Sequence, residues 1–446
     1  MKGKGAAHIL FGVFLFGCAQ AEPTGPPMPI PNPEPCRGTG CLVVTCPVGT
    51  QTIVRGRITY PNGAEPLGNA LAYIPETDEL LPLPTGPGCN VCNEISSKGV
   101  TVSTLSRTDG SFELRGAPVG SAIPLVVQKG LFRRKTTISV KACAETWLPE
   151  KDTHLPRNRS EGDIPKLAVV AGDHDAIECV LRHIGFERSE FGVPDQDQAI
   201  DLYDNADVER GKLPGQLPLP SLLNDRGRLF SYHMVFLGCS GDRYSRQLLA
   251  DAQVRDNLVQ YLKRGGKMYV SDWSYDFIGQ LPELSPFVCF EDDQPCTVST
   301  PHGFGQAVHH GGLPGDYQMD VTPAAQDLLA FLAALKPPIP ASAIRAEGLL
   351  DRWVQMAQLG QDPVAFPSKT YLQGFASRKI RPFTIGFNYP PQTSCGRVLY
   401  TSYHTRPRPA DKLIFPGYCP LGAMLPQEHI LEYLLLELAD CPGPPG

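Results

Sequence analysis

The hydrophobic pattern changes period near residue 166, and that change limits the fold more than any other feature of the chain. From about residue 50 to 145, short runs alternate apolar and polar residues between turn signals. Thr52 to Tyr60 alternates and then turns at Pro61-Asn62-Gly63. Ala70 to Ile74, Thr101 to Ser106, Ser111 to Leu114, Ile123 to Gln128 and Lys135 to Val140 complete the series, with Asp109-Gly110 as a tight turn. No helical period occurs there, so this segment predicts a small antiparallel β-sandwich. Beyond residue 166 the runs become continuous and apolar, as strands buried on both faces must be. Leu167 to Ala171, His233 to Leu237, Lys267 to Ser271 and Val398 to Ser402 read as such strands. Ala176 to Ile184, Val254 to Leu262 and Glu428 to Leu438 read as helices between or after them. Strands alternating with helices predict a three-layer α/β domain with a mainly parallel sheet.

Two domains also fit 446 residues. The expected boundaries are 49–145 for the sandwich, 146–165 for a charged, proline-bearing linker and 166–446 for the α/β domain. Residues 280–395, rich in Gly, Pro and His, are expected as an insertion plus edge elements. A net charge of −6 without a basic block argues against a nucleic-acid partner.

The first residues place the chain outside the cytoplasm. Lys2 and Lys4 precede an apolar run, Ala6 to Phe16, too short to span a bilayer. Leu15-Phe16-Gly17-Cys18 resembles the lipobox of bacterial lipoproteins. That resemblance implies residues 1–18 as a signal ending in a lipid-modified Cys18, with the membrane as partner through the lipid. Cleavage after Ala19-Gln20-Ala21, giving a soluble secreted or periplasmic protein, is the alternative. Residues 19–48 follow as a tether, in which the stretch 21–35 holds seven prolines and favours extended geometry. Fourteen cysteines in an oxidising compartment predict disulfides. Without Cys18 their number is odd, so at least one stays free or pairs between chains. Cys46 and Cys143 could clamp the sandwich, and Cys289 with Cys296 could close a local loop. Cys179 and Cys239 sit in apolar patterns and read as buried thiols. Cys89-x-x-Cys92 reads as structural rather than as a redox or zinc motif.

Two further resemblances concern the folded parts. Gly56-x-Ile58, Pro66-Leu67-x-Asn69-Ala70, Thr108-Asp109-Gly110-x-Phe112-x-Leu114 and Pro118-x-Gly120 together resemble the carboxypeptidase regulatory-like, transthyretin-like domain. This is a non-catalytic module, with Phe112 and Leu114 expected to face inward. The segments "YHMVFLGC", "YLKRGGKMYVSDW" and "GRVLYTSYHT" resemble, in order and spacing, the trehalose-utilisation-like branch of the class I glutamine amidotransferase-like superfamily. The overall layout resembles surface lipoproteins of gliding, predatory bacteria, myxobacteria in particular.

In open α/β sheets ligands bind outside the carboxyl ends of the strands. Four loops therefore carry the candidate site: Asp173, His174 and Asp175; Cys239 to Asp242; Ser271, Asp272 and Trp273; and Tyr403, His404 and Thr405. The amidotransferase resemblance implies a nucleophilic cysteine after Lys267–Ser271, but Ser271 and Asp272 stand there. His404 stands where that family's histidine does, yet is followed by Thr405-Arg406 rather than Pro-Glu. Glutaminase chemistry is not expected. Ser271 with His404 lacks a Gly-x-Ser-x-Gly elbow. Asp173, His174, Asp175, Asp272 and His404 could offer ligands to a divalent metal, but no metal-binding spacing is present and no cofactor is assigned. Asp173 and Asp175 could instead cap the following helix. Trp273 and Tyr275 could stack on a sugar or pack in the core. His302, His309 and His310 read as a solvated loop. The expected function is a non-catalytic cell-surface binding or scaffolding module for a carbohydrate or partner protein, with Asp173, His174, Asp175, Asp242, Asp272, Trp273 and His404 as the candidate ligand-binding residues. The alternative is a hydrolase acting through Asp272 and His404, with or without a metal.

Overall fold

The computed structural model describes residues 36–89, 99–205, 212–240, 244–290, 309–310, 317–321, 326–346, 353–356, 358–360, 362–376, 379–405, 413–419 and 422–439. Cys18, the tether to residue 35, Cys92, Asp242, Cys296 and His302 lie outside them. The alternating N-terminal runs form strands β1 (Ile53–Arg57), β2 (Leu71–Pro75), β3 (Val100–Leu105), β4 (Ser111–Arg115), β5 (Gly120–Lys129), β6 (Phe132–Val140), β7 (Glu145–Trp147) and β8 (Gly162–Asp163). They make two sheets, β4-β1-β7 and β3-β2-β5-β6-β8. All pairings are antiparallel except β1 with β7, which is parallel. Period two decides which side chains are inside: Phe112 and Leu114 are buried, while their neighbours Ser111, Glu113 and Arg115 are not. The Asp109 carboxylate accepts from the Ser111 backbone N–H (2.9 Å) and hydroxyl (2.6 Å), which fixes the turn into β4.

The segment 146–165 was expected as a linker. It instead completes both sheets, through β7 and β8, and buries Leu155 and Ile164. Its charges mask a few apolar anchors.

The second half builds one mixed sheet. Its strands are β9 (Leu167–Ala171), β10 (Phe191–Gly192), β11 (Ile200–Asp204), β12 (Met234–Leu237) and β13 (Lys267–Ser271). After two short ladder strands, β14 (Val288–Cys289) and β15 (His309–His310), come β16 (Tyr317–Val321), β17 (Arg345–Ala346), β18 (Trp353–Val354), β19 (Gln358–Leu359), β20 (Ser368–Ala376), β21 (Lys379–Tyr389) and β22 (Gly396–Thr401). The order is β10-β11-β9-β12-β13-β22-β21-β20-β16-β17. The run from β10 to β22 is parallel, and β21, β20, β16 and β17 continue it antiparallel. The region 280–395 thus supplies long edge strands as well as β18, which pairs with β15. His309 and His310, expected in a loop, lie in that ladder.

Helices cover both faces of the sheet: α1 (Ile177–Ile184), α2 (Pro220–Leu223), α3 (Arg226–Leu229), α4 (Ser245–Ala250), α5 (Ala252–Lys263), α6 (Asp276–Gly279), α7 (Gln326–Ala334) and α8 (Pro426–Ala439). Alternate strand residues feed two cores. Leu167, Val169, Phe236, Tyr269 and Leu399 pack with α1 and α8; Ala168, Val170, Val235, Val270 and Tyr400 pack with α5. The first of these cores runs without a break into the N-terminal sheets, through Val54, Phe112 and Val127.

The junction is also hydrogen-bonded. The Asn62 N–H donates to the Ile184 carbonyl (2.8 Å) and its side-chain amide to the His183 carbonyl (3.2 Å), so the Pro61-Asn62-Gly63 turn caps the end of α1. Gly185 follows at φ 113°, and a Cβ there would strike the Asn62 backbone. At the β5–β6 turn, Gly130 has φ 56°, and a Cβ there would overlap the carbonyl of Ala439 at the end of α8.

The disulfides among the described residues include three that join distant parts of the chain. Cys46–Cys143 clamps the start of β1 to the approach of β7, as expected. Cys89–Cys395 ties the β2–β3 connection to the start of β22 across 306 residues. Cys179, expected as a buried thiol, pairs with Cys419 and so ties α1 to the segment before α8. The apolar pattern that pointed to a thiol records burial, which a disulfide shares.

Replacing Cys89 and Cys395 together by Ser should lower unfolding stability by roughly 2–5 kcal/mol, read from urea denaturation. A second prediction concerns Glu432 of α8, whose Oε1 has no hydrogen-bond partner among the described residues. Burial raises its pKa to about 7, against the pull of His429. The folded state therefore holds the proton more tightly than the unfolded chain. The stability contributed is full below about pH 4.5 and is lost as pH rises through about 7. Glu432→Gln should remove that loss and raise the melting temperature at pH 8 but not at pH 4.

Candidate functional site

The sheet order places β9, β12, β13 and β22 side by side and parallel, so their carboxyl ends meet at one edge. Of the residues expected there, all but Gly241 and Asp242 are described. Asp175 is the centre of the hydrogen bonding. Its Oδ2 accepts from the Ser271 hydroxyl (2.5 Å) and the Cys239 N–H (3.4 Å). Its Oδ1 accepts from the Thr405 N–H (2.9 Å) and hydroxyl. The Thr405 hydroxyl in turn accepts from the Ala176 N–H (2.8 Å) at the start of α1. Asp175 therefore does not cap that helix as the sequence suggested; it joins the loops after β9, β12, β13 and β22. Ser271 spends its hydroxyl on Asp175, so it is oriented as a structural donor and not as a nucleophile facing His404.

Asp272 directly follows β13 with φ 40°, a left-handed conformation sparsely used by residues with a Cβ. Its Oδ1 accepts from the Val354 N–H of β18 (2.6 Å), and its backbone carbonyl accepts from the Tyr400 hydroxyl (3.2 Å). Its Oδ2 faces His404 Nδ1 at 3.5 Å and accepts from the Cys239 thiol at 3.5 Å. Asp272 and Cys239 are 0% exposed and His404 is 1% exposed. Burial, and secondarily the Asp272 charge, push the Cys239 thiol well above its ordinary pKa, so it is protonated. Cys239 is the free cysteine among the described residues.

The other expected residues are less central. Asp173 is buried and His174 half-buried; the His174 ring lies 6.5 Å from that of His404. Trp273 packs against the α5-side core, and Tyr275 is buried against Phe290 at 5.2 Å. Both aromatics belong to packing rather than to an open sugar platform. Cys239 and Thr405 lie in loops that the sequence named, though without these roles; Val354 was missed. Cys239 carried a usable signal, since it follows the glycine that ends β12. Val354 carried none, because its partner is 82 residues away.

A separate cavity of about 210 Å³ lies between the N-terminal sheets and α7 and α8. Tyr60, Phe331 and Tyr433 form its aromatic side, with ring centroids 5.7 and 5.5 Å apart in succession. Lys129, Asp327 and Glu437 bring charge to it. Burial opposes ionisation of Asp327, but the Tyr433 hydroxyl and the Lys369 ammonium outweigh it and hold the carboxyl below its usual range.

No protein-family model matches the chain, and no curated protein sequence matches it. Solved structures similar to parts of it include two type II cohesin–X-dockerin complexes from Acetivibrio cellulolyticus. A C-terminal interface mutant is 16% identical over 33% of this chain and 79% of its own, with a TM-score of 0.16. An N-terminal interface mutant is 16% identical over 30% and 85%, with a TM-score of 0.17. Likeness at that level assigns neither family nor function.

Asp175 is a buried carboxylate that accepts from four donors. Asp175→Ala should leave those donors unpaired and cost roughly 3–5 kcal/mol of stability, measured by chemical denaturation. An unchanged midpoint would remove Asp175 from the centre of the strand-end structure.

Proposed function

We propose that this chain is a lipid-anchored cell-surface protein, held through Cys18, with a transthyretin-like sandwich followed by a non-catalytic amidotransferase-like α/β domain that binds carbohydrate. The observation that carries the non-catalytic reading is the condition of Asp272. It occupies the turn where the resembled family holds its nucleophile. Yet both its carboxylate oxygens are engaged, it is fully buried, and β18 is bonded across it. A nucleophile needs an approach path and a base within reach; Ser271 spends its hydroxyl on Asp175, and Cys239, although Asp272 and His404 lie beside it, is fully buried and has no approach path. Three long-range disulfides support an oxidising compartment. No helix of the described residues is long and apolar enough to cross a membrane.

For the ligand, the cavity beside α7 and α8 is the better candidate than the strand ends. It combines aromatic walls with an ionised carboxylate, a lysine and Asn69, a lining suited to the apolar faces and hydroxyls of a sugar. A hydrolase using Asp272 and His404 is the second reading, favoured by their 3.5 Å approach and the φ of Asp272.

Calorimetric titration of the full chain with a panel of mono- and oligosaccharides tests the proposal. At least one sugar should bind, and Asp327→Asn should weaken it roughly ten- to hundredfold, as expected for a lost hydrogen bond to a charged acceptor. Absence of sugar binding, together with ester or glycoside hydrolysis that disappears in Asp272→Asn, would establish the hydrolase instead.

A further inference from the structure

We propose that Cys239, Asp272 and His404 form a zinc-type metal site that fastens together the ends of three adjacent strands, β12, β13 and β22. The inference goes beyond the carbohydrate reading and does not depend on it, since the two sites share no residue. One ligand atom from each of the three residues can be chosen so that all lie within 4.8 Å of one another. Two of the separations are known more closely: Cys239 Sγ to Asp272 Oδ2 and His404 Nδ1 to Asp272 Oδ2 are each 3.5 Å. Tetrahedral zinc takes sulfur at about 2.3 Å and nitrogen or carboxylate oxygen at about 2.0–2.2 Å, so the edges of its ligand tetrahedron are roughly 3.3–3.7 Å. Both separations fall within that interval before any adjustment of the side chains.

The donor types narrow the ion. A thiolate beside an imidazole and one carboxylate oxygen selects zinc or a similar borderline-soft cation over magnesium or calcium, which take oxygen-rich shells. The groups around the ligands are also arranged for single-oxygen coordination. Val354 N–H occupies Asp272 Oδ1 and leaves Oδ2 toward the cluster, and Tyr400 holds the same residue by its carbonyl. The fourth corner falls to water or to His174, whose ring is 6.5 Å from that of His404. On binding, the Cys239 thiol would lose its proton to solvent and the sulfur would join the metal, with no change of oxidation state.

The test uses the full chain, matured in an oxidising compartment, dialysed against metal-free buffer and analysed for metal, then reloaded with cobalt(II). Stoichiometric zinc is expected, with a thiolate-to-cobalt charge-transfer band in the near ultraviolet and intense tetrahedral bands in the visible. Cys239→Ser should lose the charge-transfer band while Asp327→Asn keeps it. His174→Ala should alter the visible bands only if that residue fills the fourth corner. Chelation of the parent protein should lower its melting temperature, a readout that does not depend on any variant folding. Substoichiometric metal with no charge-transfer band in folded parent protein would overturn the proposal. So would a band that persists in Cys239→Ser, since it would come from a different cysteine.

Discussion

The Asp175 carboxylate is the constraint on which the strand-end structure depends. Four parallel strands deliver their last residues to one edge, and loops leaving such an edge diverge unless something holds them. Asp175 holds the Ser271 hydroxyl, the Cys239 N–H and the Thr405 backbone and hydroxyl. Each is a member of the buried cluster or its immediate chain neighbour: Ser271 precedes Asp272, and Thr405 follows His404. A charge inside a protein requires this density of donors to offset its lost hydration. The positions of Asp272 and His404 are therefore consequences of a bond network one residue away from each.

The same logic joins the two halves. A helix C-terminus leaves carbonyls without partners, and α1 finds donors for them on a turn of the N-terminal sheets. The core beneath that turn is continuous from Val54 to Leu434. Residues 38–446 accordingly form one compact unit. The charged stretch 146–165, which looks like a spacer when read alone, is woven into both sheets.

Period made much of the fold legible. Continuous runs such as Leu167–Ala171 and Lys267–Ser271 coincide with β9 and β13, because strands covered on both faces admit few polar residues. β11 escaped because Asp201 and Asp204 interrupt its run; both are buried, paired with Lys166 at 2.8 Å and Lys212 at 2.9 Å. The Ser111–Leu114 strand was legible from Asp109-Gly110, whereas β7 and β8 are too short to show a period. Asp272 and His404 were legible as candidates because each ends a recognisable strand. Which pairs would meet was not legible, since Cys239, Val354 and Thr405 reach the cluster through sheet order and not through spacing.

The continuity between the first and last segments has a consequence for maturation. A chain emerges from its N-terminus, and modules complete in themselves fold as they emerge. Here the first sheets lack part of their core until α8 has been made. The Cys46–Cys143 pair can close early, but Cys179 must wait for Cys419 and Cys89 for Cys395. The newborn N-terminal half therefore passes through a stage in which Cys89 and Cys179 are unpaired. Wrong pairings among the N-terminal cysteines at that stage are the errors that a disulfide isomerase would have to correct.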